Sequence, residues 1–490
     1  MTTIHSSTVT PTRILQNLLP ITKSDYQQYL ACPPEYWLLK HQPELFDGAP
    51  DVEMLHILRQ GNEIESLARD YFKAKDDIRI EFQCIYKSAR LYARADIVLT
   101  EIHTGIKTLI EVKSGTSVKA EYLDDLAFQV IAAESVGVRM NRIAVLHVNK
   151  EYIRSNEIDI DAFFTFKDIS TDVIARIPQT RINIEAAIMY LEQNEPVMQL
   201  HEHCGQKLDC PAFKRNHPNL PDYSVFNISR IGQPKLRELL MNGIVDILDV
   251  PRQFELSEKQ RLQVDIAQAG IPYICHQCIK EALDGLQYPL YFLDYETLQY
   301  GIPLYDDIAP YQQMVFQWSL HILYEDSLEP EHLDFLSDGS GHPAFEFVKA
   351  MHDAIPNDGG SVLVWNKSFE MTRNKELAQM FPKYESFFMD INERVFDLME
   401  IFQKQHFVHP AFRGSYSIKQ VMPVLVPQLT YADLEINHGM LASIRWFELV
   451  TGQIPELEKE HLLRNLREYC KLDTLAMLEI YRFLRNLKLG

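Results

Sequence analysis

Apolar and aromatic positions recur at helical spacing over residues 24–40, with Tyr26, Tyr29, Leu30, Trp37 and Leu38 on the repeat, and again over residues 52–72. Both stretches predict amphipathic helices. Next come RIEFQCIY, RLYARADIVLT and KTLIEVK, which read as strands, with His103-Thr104-Gly105 as a turn between the last two. The segment AEYLDDLAFQVIAAESVG predicts a helix and RIAVLHVN a buried strand, so a mixed α/β core is complete by about residue 155. A polar, Pro- and Asn-rich stretch, CPAFKRNHPNLPDYS, marks a boundary near residues 204–224. Residues 225–285 are helical and connecting. PLYFLDYET then opens a second set of strands, followed by MVFQWSLHIL and by GGSVLVWN leading into a helix FEMTRNKELAQMF. A long helix over residues 461–487 closes the pattern. The organisation expected is a domain at 1–220, a helical connector at 221–285 and a second α/β domain at 286–490.

The chain has 490 residues and is 46% hydrophobic, enough for more than one core. Its opening segment lacks the cationic end and apolar run of a signal peptide, and no stretch reaches the ~18 apolar residues of a membrane span. A cytoplasmic protein without a membrane partner is expected. The seven cysteines do not suggest a secreted disulfide framework, so thiols or a metal site are expected instead. The net charge of −20 opposes binding of nucleic acid by the overall field, but acidic metal sites and a local basic groove are compatible with it.

Two sets of residues carry candidate chemistry. In KTLIEVKSG, strand alternation places Ile110 and Val112 on one face and Glu111 and Lys113 on the other. Asp96, at the end of ARAD, falls on the neighbouring strand of the hairpin. Two carboxylates and a lysine could therefore converge, to hold Mg²⁺ against a phosphate and orient water for phosphodiester hydrolysis. The bland alternative is a solvated Glu-Lys pair on a sheet face.

Asp96 followed by Glu111-Val112-Lys113 resembles the PD-(D/E)XK nuclease motif, and DLAFQ supplies Gln129 where RecB-like members carry a glutamine. GNEIESLARDYF resembles the family's first motif and places Glu65 where many relatives have a histidine; Ala133 stands where a tyrosine is common. SDYQQYLACPPEYWL resembles the N-terminal segment of RecB-like nucleases of the CRISPR-associated and AddB type, in which one early and three late cysteines hold a [4Fe–4S] cluster. Cys32, Cys204 and Cys210 match three of these positions, and the fourth falls near His217. That set implies an iron–sulfur cluster or Zn²⁺, or no metal. Cys275-x-x-Cys278 either completes a four-cysteine set with Cys204 and Cys210 or is a pair of core cysteines.

In the second half, PLYFLDYET places Asp294 and Glu296 two residues apart on one strand face. VLVWNKSFEMTR delivers Asn366 and then Glu370 at the start of a helix, and REYCKLDTLAML puts Tyr469 and Asp473 one helical turn apart. In this order the residues resemble the DEDDy subgroup of DnaQ-like 3′–5′ exonucleases. The resemblance implies Asp294, Glu296, Glu370 and Asp473 as ligands of two Mg²⁺ or Mn²⁺ ions, with Tyr469 positioning the attacking water. Glu370 departs from the family's usual aspartate. Asp397 reads as structural or supporting, and Lys419 either contacts substrate or is an ordinary solvated lysine. FQWSLH, GSYSIKQVMP and YCKLDTLAM also resemble a bacterial domain of unknown function found fused to RecB-like nucleases.

The fold class expected is α/β, with an N-terminal PD-(D/E)XK restriction-endonuclease-like mixed sheet and a C-terminal RNase H-like (DnaQ-like) domain. The function expected is a metal-dependent nuclease with two sites, acting on DNA in preference to RNA. The rival reading is a nucleic-acid-binding or assembly protein with one or both sites inactive.

Overall fold

The computed structural model describes residues 20–46, 48–72, 77–202, 208 and 210–487. The chain divides into two compact units. The first holds the residues up to Asn219 together with Gly301–Pro310, and the second holds Leu220–Tyr300 and Tyr311 onward. The stretch read as a connector thus groups with the second unit. Among the described residues no helix is long and apolar enough to cross a membrane.

The first unit is built on a six-stranded sheet of β1 (Ile21–Thr22), β2 (Ile78–Lys87), β3 (Leu91–Glu101), β4 (Lys107–Lys113), β5 (Arg142–Val148) and β6 (Phe164–Asp168). β2, β3 and β4 form antiparallel neighbours, and β4 then runs parallel to β5 through the crossover helix Ala120–Glu134. The sheet and the helix Ser170–Leu191 carry the core past residue 155, beyond the expected end.

One feature of the sheet positions a site. β2 occupies one edge of β3 along nearly its whole length, so β4, paired at 97–100, and β1, paired at 91–92, share the other edge. Residues 93–96 lie in the gap between them, and Asp96 stands in that gap. The single helix expected over 24–40 is instead two, Lys23–Ala31 and Pro33–His41. Cys32 between them is extended, at φ −155° and ψ 91°, because the ring of Pro33 excludes the helical conformation from the residue before it.

The second unit holds a two-stranded ribbon of β7 (Tyr273–Ile274) and β13 (Phe407–Val408) and a five-stranded sheet. The sheet comprises β8 (Leu290–Leu298), β9 (Met314–Leu323), β10 (Glu331–Leu336), β11 (Val362–Val364) and β12 (Val395–Asp397), in the order β10-β9-β8-β11-β12. The β10-β9-β8 pairings are antiparallel and the β8-β11-β12 pairings parallel. One face packs Leu293, Tyr295, Trp318 and Leu320 against Phe347, Met351 and Phe388. The other is covered by the long helix Glu456–Arg485.

That second face explains why β9 is buried along its whole length although it carries Gln317, Ser319 and His321. Each finds a partner on the terminal helix. Gln317 donates to the Leu466 carbonyl at 2.9 Å, and Ser319 and His321 each lie 2.8 Å from the Thr474 hydroxyl. Burial and the neighbouring His332 hold the His321 imidazole down to about 3, well below its ordinary 6.5. The unfolded chain therefore binds the proton more readily, so this stability is complete above about pH 6.5 and declines as the pH falls toward 3. We expect the second unit to lose about 1.4 kcal/mol per pH unit for that proton. His321→Gln should flatten the acid limb of thermal melts over pH 4–6.5; an unchanged slope would locate the acid sensitivity elsewhere.

Candidate functional sites

At the first site the β3–β4 ladder ends at the Ile97–Ile110 pair. Just beyond it, the Val112 amide donates to Asp96 Oδ2 at 2.9 Å. By that register Asp96 and Glu111 share one face of the sheet. This face is not open to water as a solvated Glu-Lys pair would require: Glu111 is 2% exposed.

The crossover helix closes over Glu111 and brings Asp125 and Gln129, four residues apart on one face, against it. Gln129 Nε2 donates to Glu111 Oε2 at 2.6 Å and to Asp125 Oδ1 at 3.3 Å. Lys113 bridges Glu111 at 2.7 Å and Asp125 at 2.8 Å. Lys23, placed by β1 at the start of the first helix, lies 2.8 Å from the same Glu111 oxygen and 3.4 Å from Asp125. Asp125 and Lys23 were not singled out from the sequence. The four-residue spacing to Gln129 marks Asp125, whereas nothing local marks Lys23, 88 residues from its partner.

Burial opposes ionisation of Glu111, but Lys113 and Lys23 outweigh it and draw the carboxyl down to about 2. Asp96 goes the other way. Burial and the Glu111 charge push it up to about 7, against the Val112 amide and Lys23. Glu65 adds to that rise from the helix Val52–Tyr71, where its carboxylate is held by Gln83 at 2.6 Å and Arg69 at 3.1 Å.

The cysteine set is only partly visible. Cys204 lies outside the described residues. Cys32 is buried, and Cys210 caps the helix Pro211–Asn216 by accepting from the Phe213 amide at 3.4 Å. His217 packs on Phe213 with a buried Nε2 that has no hydrogen-bond partner among the described residues, and burial lowers its basicity. Among the described residues these side chains form no cluster of three or more metal-binding atoms. Cys275 and Cys278 are joined in a disulfide at the start of the helix His276–Asp284, rather than standing as two core thiols or metal ligands.

At the second site the sheet and the terminal helix bring the acids together. Asp294 and Glu296 lie opposite Ser319 and Gln317 of β9, on the face that the terminal helix covers. Asp294, Glu296 and Cys470 form the one group of three metal-binding side chains among the described residues, with ligand atoms within 4.8 Å of one another. The Cys470 thiol donates to Asp294 Oδ2 at 3.8 Å. Asp473, one turn beyond Tyr469, accepts from the Tyr431 hydroxyl at 2.5 Å.

Glu370 opens the helix Lys367–Met380 behind Asn366, whose φ of 87° swings the chain from β11 into that helix. It is 2% exposed, and its Oε2 has no hydrogen-bond partner among the described residues. Asp397 accepts the amides of Asn366, Lys367 and Met399 at 3.0–3.1 Å, a structural role that fixes this turn.

Burial opposes ionisation of Asp294, Glu296, Glu370 and Asp473 alike. Burial and the Asp473 charge raise Asp294 well above an ordinary carboxyl, and burial and Asp294 do the same to Glu296 and Glu370. Burial carries Asp473 up to about 6, against the Tyr431 hydroxyl and Lys419. Burial also raises Tyr469 far enough to keep its phenol a hydrogen-bond donor. Lys419 lies 5.3 and 5.5 Å from the ring centres of Tyr431 and Tyr469 and donates to the Asn437 carbonyl at 2.8 Å. It is thus part of the site's surroundings. Gly439, at the start of the helix Gly439–Val450, comes so near that a Cβ there would lie 3.5 Å from Glu296 Oε2. Tyr431, Cys470 and Gly439 were not singled out from the sequence; Cys470 sits beside a motif residue, and the other two carry no local signal.

Residues 291–417 match a family described as a domain of unknown function, DUF2779. The match takes in Asp294, Glu296, Glu370 and Asp397 and stops short of Lys419, Tyr469 and Asp473. The uncharacterized protein UU173 of Ureaplasma parvum serovar 3 is 30% identical over 216 residues, 40% of this chain and 31% of that protein. The uncharacterized protein MG366 of Mycoplasma genitalium and its Mycoplasma pneumoniae homolog are each 26% identical over 218 residues, 40% of this chain and 32% of theirs. The matched segment spans about a third of the length of these relatives. No solved structure matches the chain.

Proposed function

We propose that the chain is a divalent-metal-dependent nuclease that hydrolyses phosphodiester bonds, with DNA preferred over RNA and a 3′–5′ exonuclease centre around Asp294. The observation that carries this reading is the group of Asp294, Glu296 and Cys470, half-buried at Asp294 and buried at the other two, with Asp473 beside it and a buried Glu370 oxygen that has no hydrogen-bond partner among the described residues. Several carboxylates crowded into a largely buried site are costly to ionise, and a divalent cation supplies balancing charge. Asp294, Glu296, Glu370 and Asp473 are hard oxygen donors suited to Mg²⁺ or Mn²⁺, for which the Cys470 thiol is a poor ligand. When bound, the ion polarises a phosphoryl oxygen and makes water more acidic. The protein's part is to orient: Tyr469 offers a phenolic proton beside Asp473, and Lys419 brings positive charge near Glu296 and Asp473. Three antiparallel strands, two parallel ones and a terminal helix across the acidic strand support an RNase H-like reading of this unit.

The hairpin, crossover helix and parallel strand around Glu111 support a PD-(D/E)XK reading of the first unit, with Asp96 and Glu111 as metal ligands and Lys113 and Gln129 holding Glu111. One observation favours the rival for this site alone. Two ammonium groups already neutralise Glu111 Oε1, as a scaffold that has lost its metal would show. Labelled single- and double-stranded DNA and RNA, incubated with Mg²⁺ or Mn²⁺ and wild type, Asp96→Ala, Asp294→Ala or the double variant, separate these cases. We expect Asp294→Ala to remove 3′-end shortening. Identical behaviour of wild type and double variant would end the enzyme reading.

A further inference from the structure

We propose that a groove on the second unit, running from Lys419 past Arg230 to Lys259, binds the backbone and bases of a single-stranded nucleic acid upstream of its 3′ end. The proposal rests on the exonuclease reading for its direction, since the groove opens beside the acidic site.

Two cavities of about 660 and 630 Å³ meet along a shared wall that includes Arg230, Gly414 and Tyr416. The first reaches Asn366 and Lys419, next to the acids, and the second reaches Lys259 and Lys404. Among the described residues no aspartate or glutamate lines either cavity, in a chain whose net charge is −20. Such local segregation of charge is how an acidic protein can hold a polyanion.

The cations are available. Arg230 reaches only the Tyr416 hydroxyl, at 3.4 Å, and Lys259 only the Gln403 carbonyl, at 2.9 Å; neither is ion-paired among the described residues. Arg413 does meet Asp222 at 3.6 Å, but that aspartate side chain is 89% exposed, and such pairs are weak. Lys404 is held by Glu400 and contributes less. Between the cations stands Trp365, half-buried and stacked on Phe402 with ring centres 5.5 Å apart, its indole nitrogen fixed to the Tyr416 carbonyl at 3.2 Å. Cations along the backbone with an aromatic platform between them are the pattern that binds single strands without base-specific contacts.

The backbone is also committed to this shape. Eight described residues other than glycine have positive φ, and Arg230, Asn366, Gln405 and Arg413 of them line the groove. Strain of this kind persists where the surroundings impose it, and it concentrates at ligand sites. Gly414, beside Arg413, is docked so closely that a Cβ would lie 2.3 Å from Gln263 Nε2 and 2.6 Å from the Asn227 carbonyl. The loop carrying Arg413 is thereby pinned to the groove floor.

The test measures binding of a labelled 12-nucleotide single strand to the full chain in EDTA, at several salt concentrations. We expect Arg230→Glu/Lys259→Glu to weaken binding about tenfold or more and to reduce the slope of log K against log salt by about 1.4, two phosphate contacts on a single strand. Both residues are exposed, and Arg230→Gln/Lys259→Gln should lower the slope without charge reversal. With Mg²⁺, the charge-reversal variant should raise KM for the 12-mer and leave cleavage of a dinucleotide unchanged. Unaltered affinity and slope in both variants, or tighter binding of the duplex, would overturn the groove and leave the exonuclease reading standing. Wild type that binds with the expected slope but shortens no strand would overturn the exonuclease reading and leave the groove.

Discussion

Asp294→Asn should cut 3′–5′ degradation of a single strand by roughly 10²–10³-fold, as loss of one preorganised electrostatic group does elsewhere, while leaving the second unit as stable as wild type or more so. The side chain keeps its volume and loses a charge that the fold holds at a cost. Burial and Asp473 already oppose ionisation of Asp294, and its charge in turn opposes that of Glu296 and Glu370. Removing it relieves the neighbours. Melting in EDTA should therefore show no fall in Tm, and Mg²⁺ should raise the Tm of wild type by mass action far more than that of the variant. A variant that loses activity and stability together, with no change in its response to Mg²⁺, would make Asp294 a structural acid.

That opposition of stability and activity was only half legible in the sequence. The period of two on β8 placed Asp294 and Glu296 on one face, and the helical period placed Tyr469 and Asp473 on another. Neither period says which face of β8 meets which face of the terminal helix. The polar residues of β9 hold the answer, because Gln317, Ser319 and His321 need partners once buried, and Leu466 and Thr474 provide them. The same contacts bring Cys470, a residue outside the motif, to Asp294.

Short elements were harder to read. β12 has three residues and β1 two, too few for any alternation to register, yet β12 ends in the Asp397 that fixes the turn into Glu370. β1 places Lys23 on Glu111 across 88 residues of sequence. The helix break at Cys32 was legible from Pro33-Pro34, and the aromatic repeat across it obscured that. Groove residues such as Arg230 and Arg413 carry no pattern at all. Their positive φ values are set by tertiary packing, and nothing in a run of amino acids marks an arginine for the left-handed region.

Glu111→Gln tests the first unit in the opposite sense from Asp294→Asn, because here the acid is held by its surroundings. Its Oε1 lies between the Lys23 and Lys113 ammonium groups, and its Oε2 accepts from Gln129. The substitution leaves two largely buried cations with Asp125 as their remaining carboxylate, and sets an amide among three donors. Breaking a buried pair in this way costs about 3–5 kcal/mol. Urea unfolding followed at Trp37, the first unit's only tryptophan, should show a lower midpoint with an unchanged slope. Asp96 should respond as well. It is pushed up to about 7 by burial and then by the Glu111 charge, so losing that charge lets it ionise at lower pH. If the midpoint does not move, the two lysines are not held by Glu111 in solution, and the case for a metal-free scaffold at this site loses its support. If it falls as expected while Asp96→Asn leaves cleavage intact, the Glu111 network is a structural brace, and hydrolysis belongs to the Asp294 site alone.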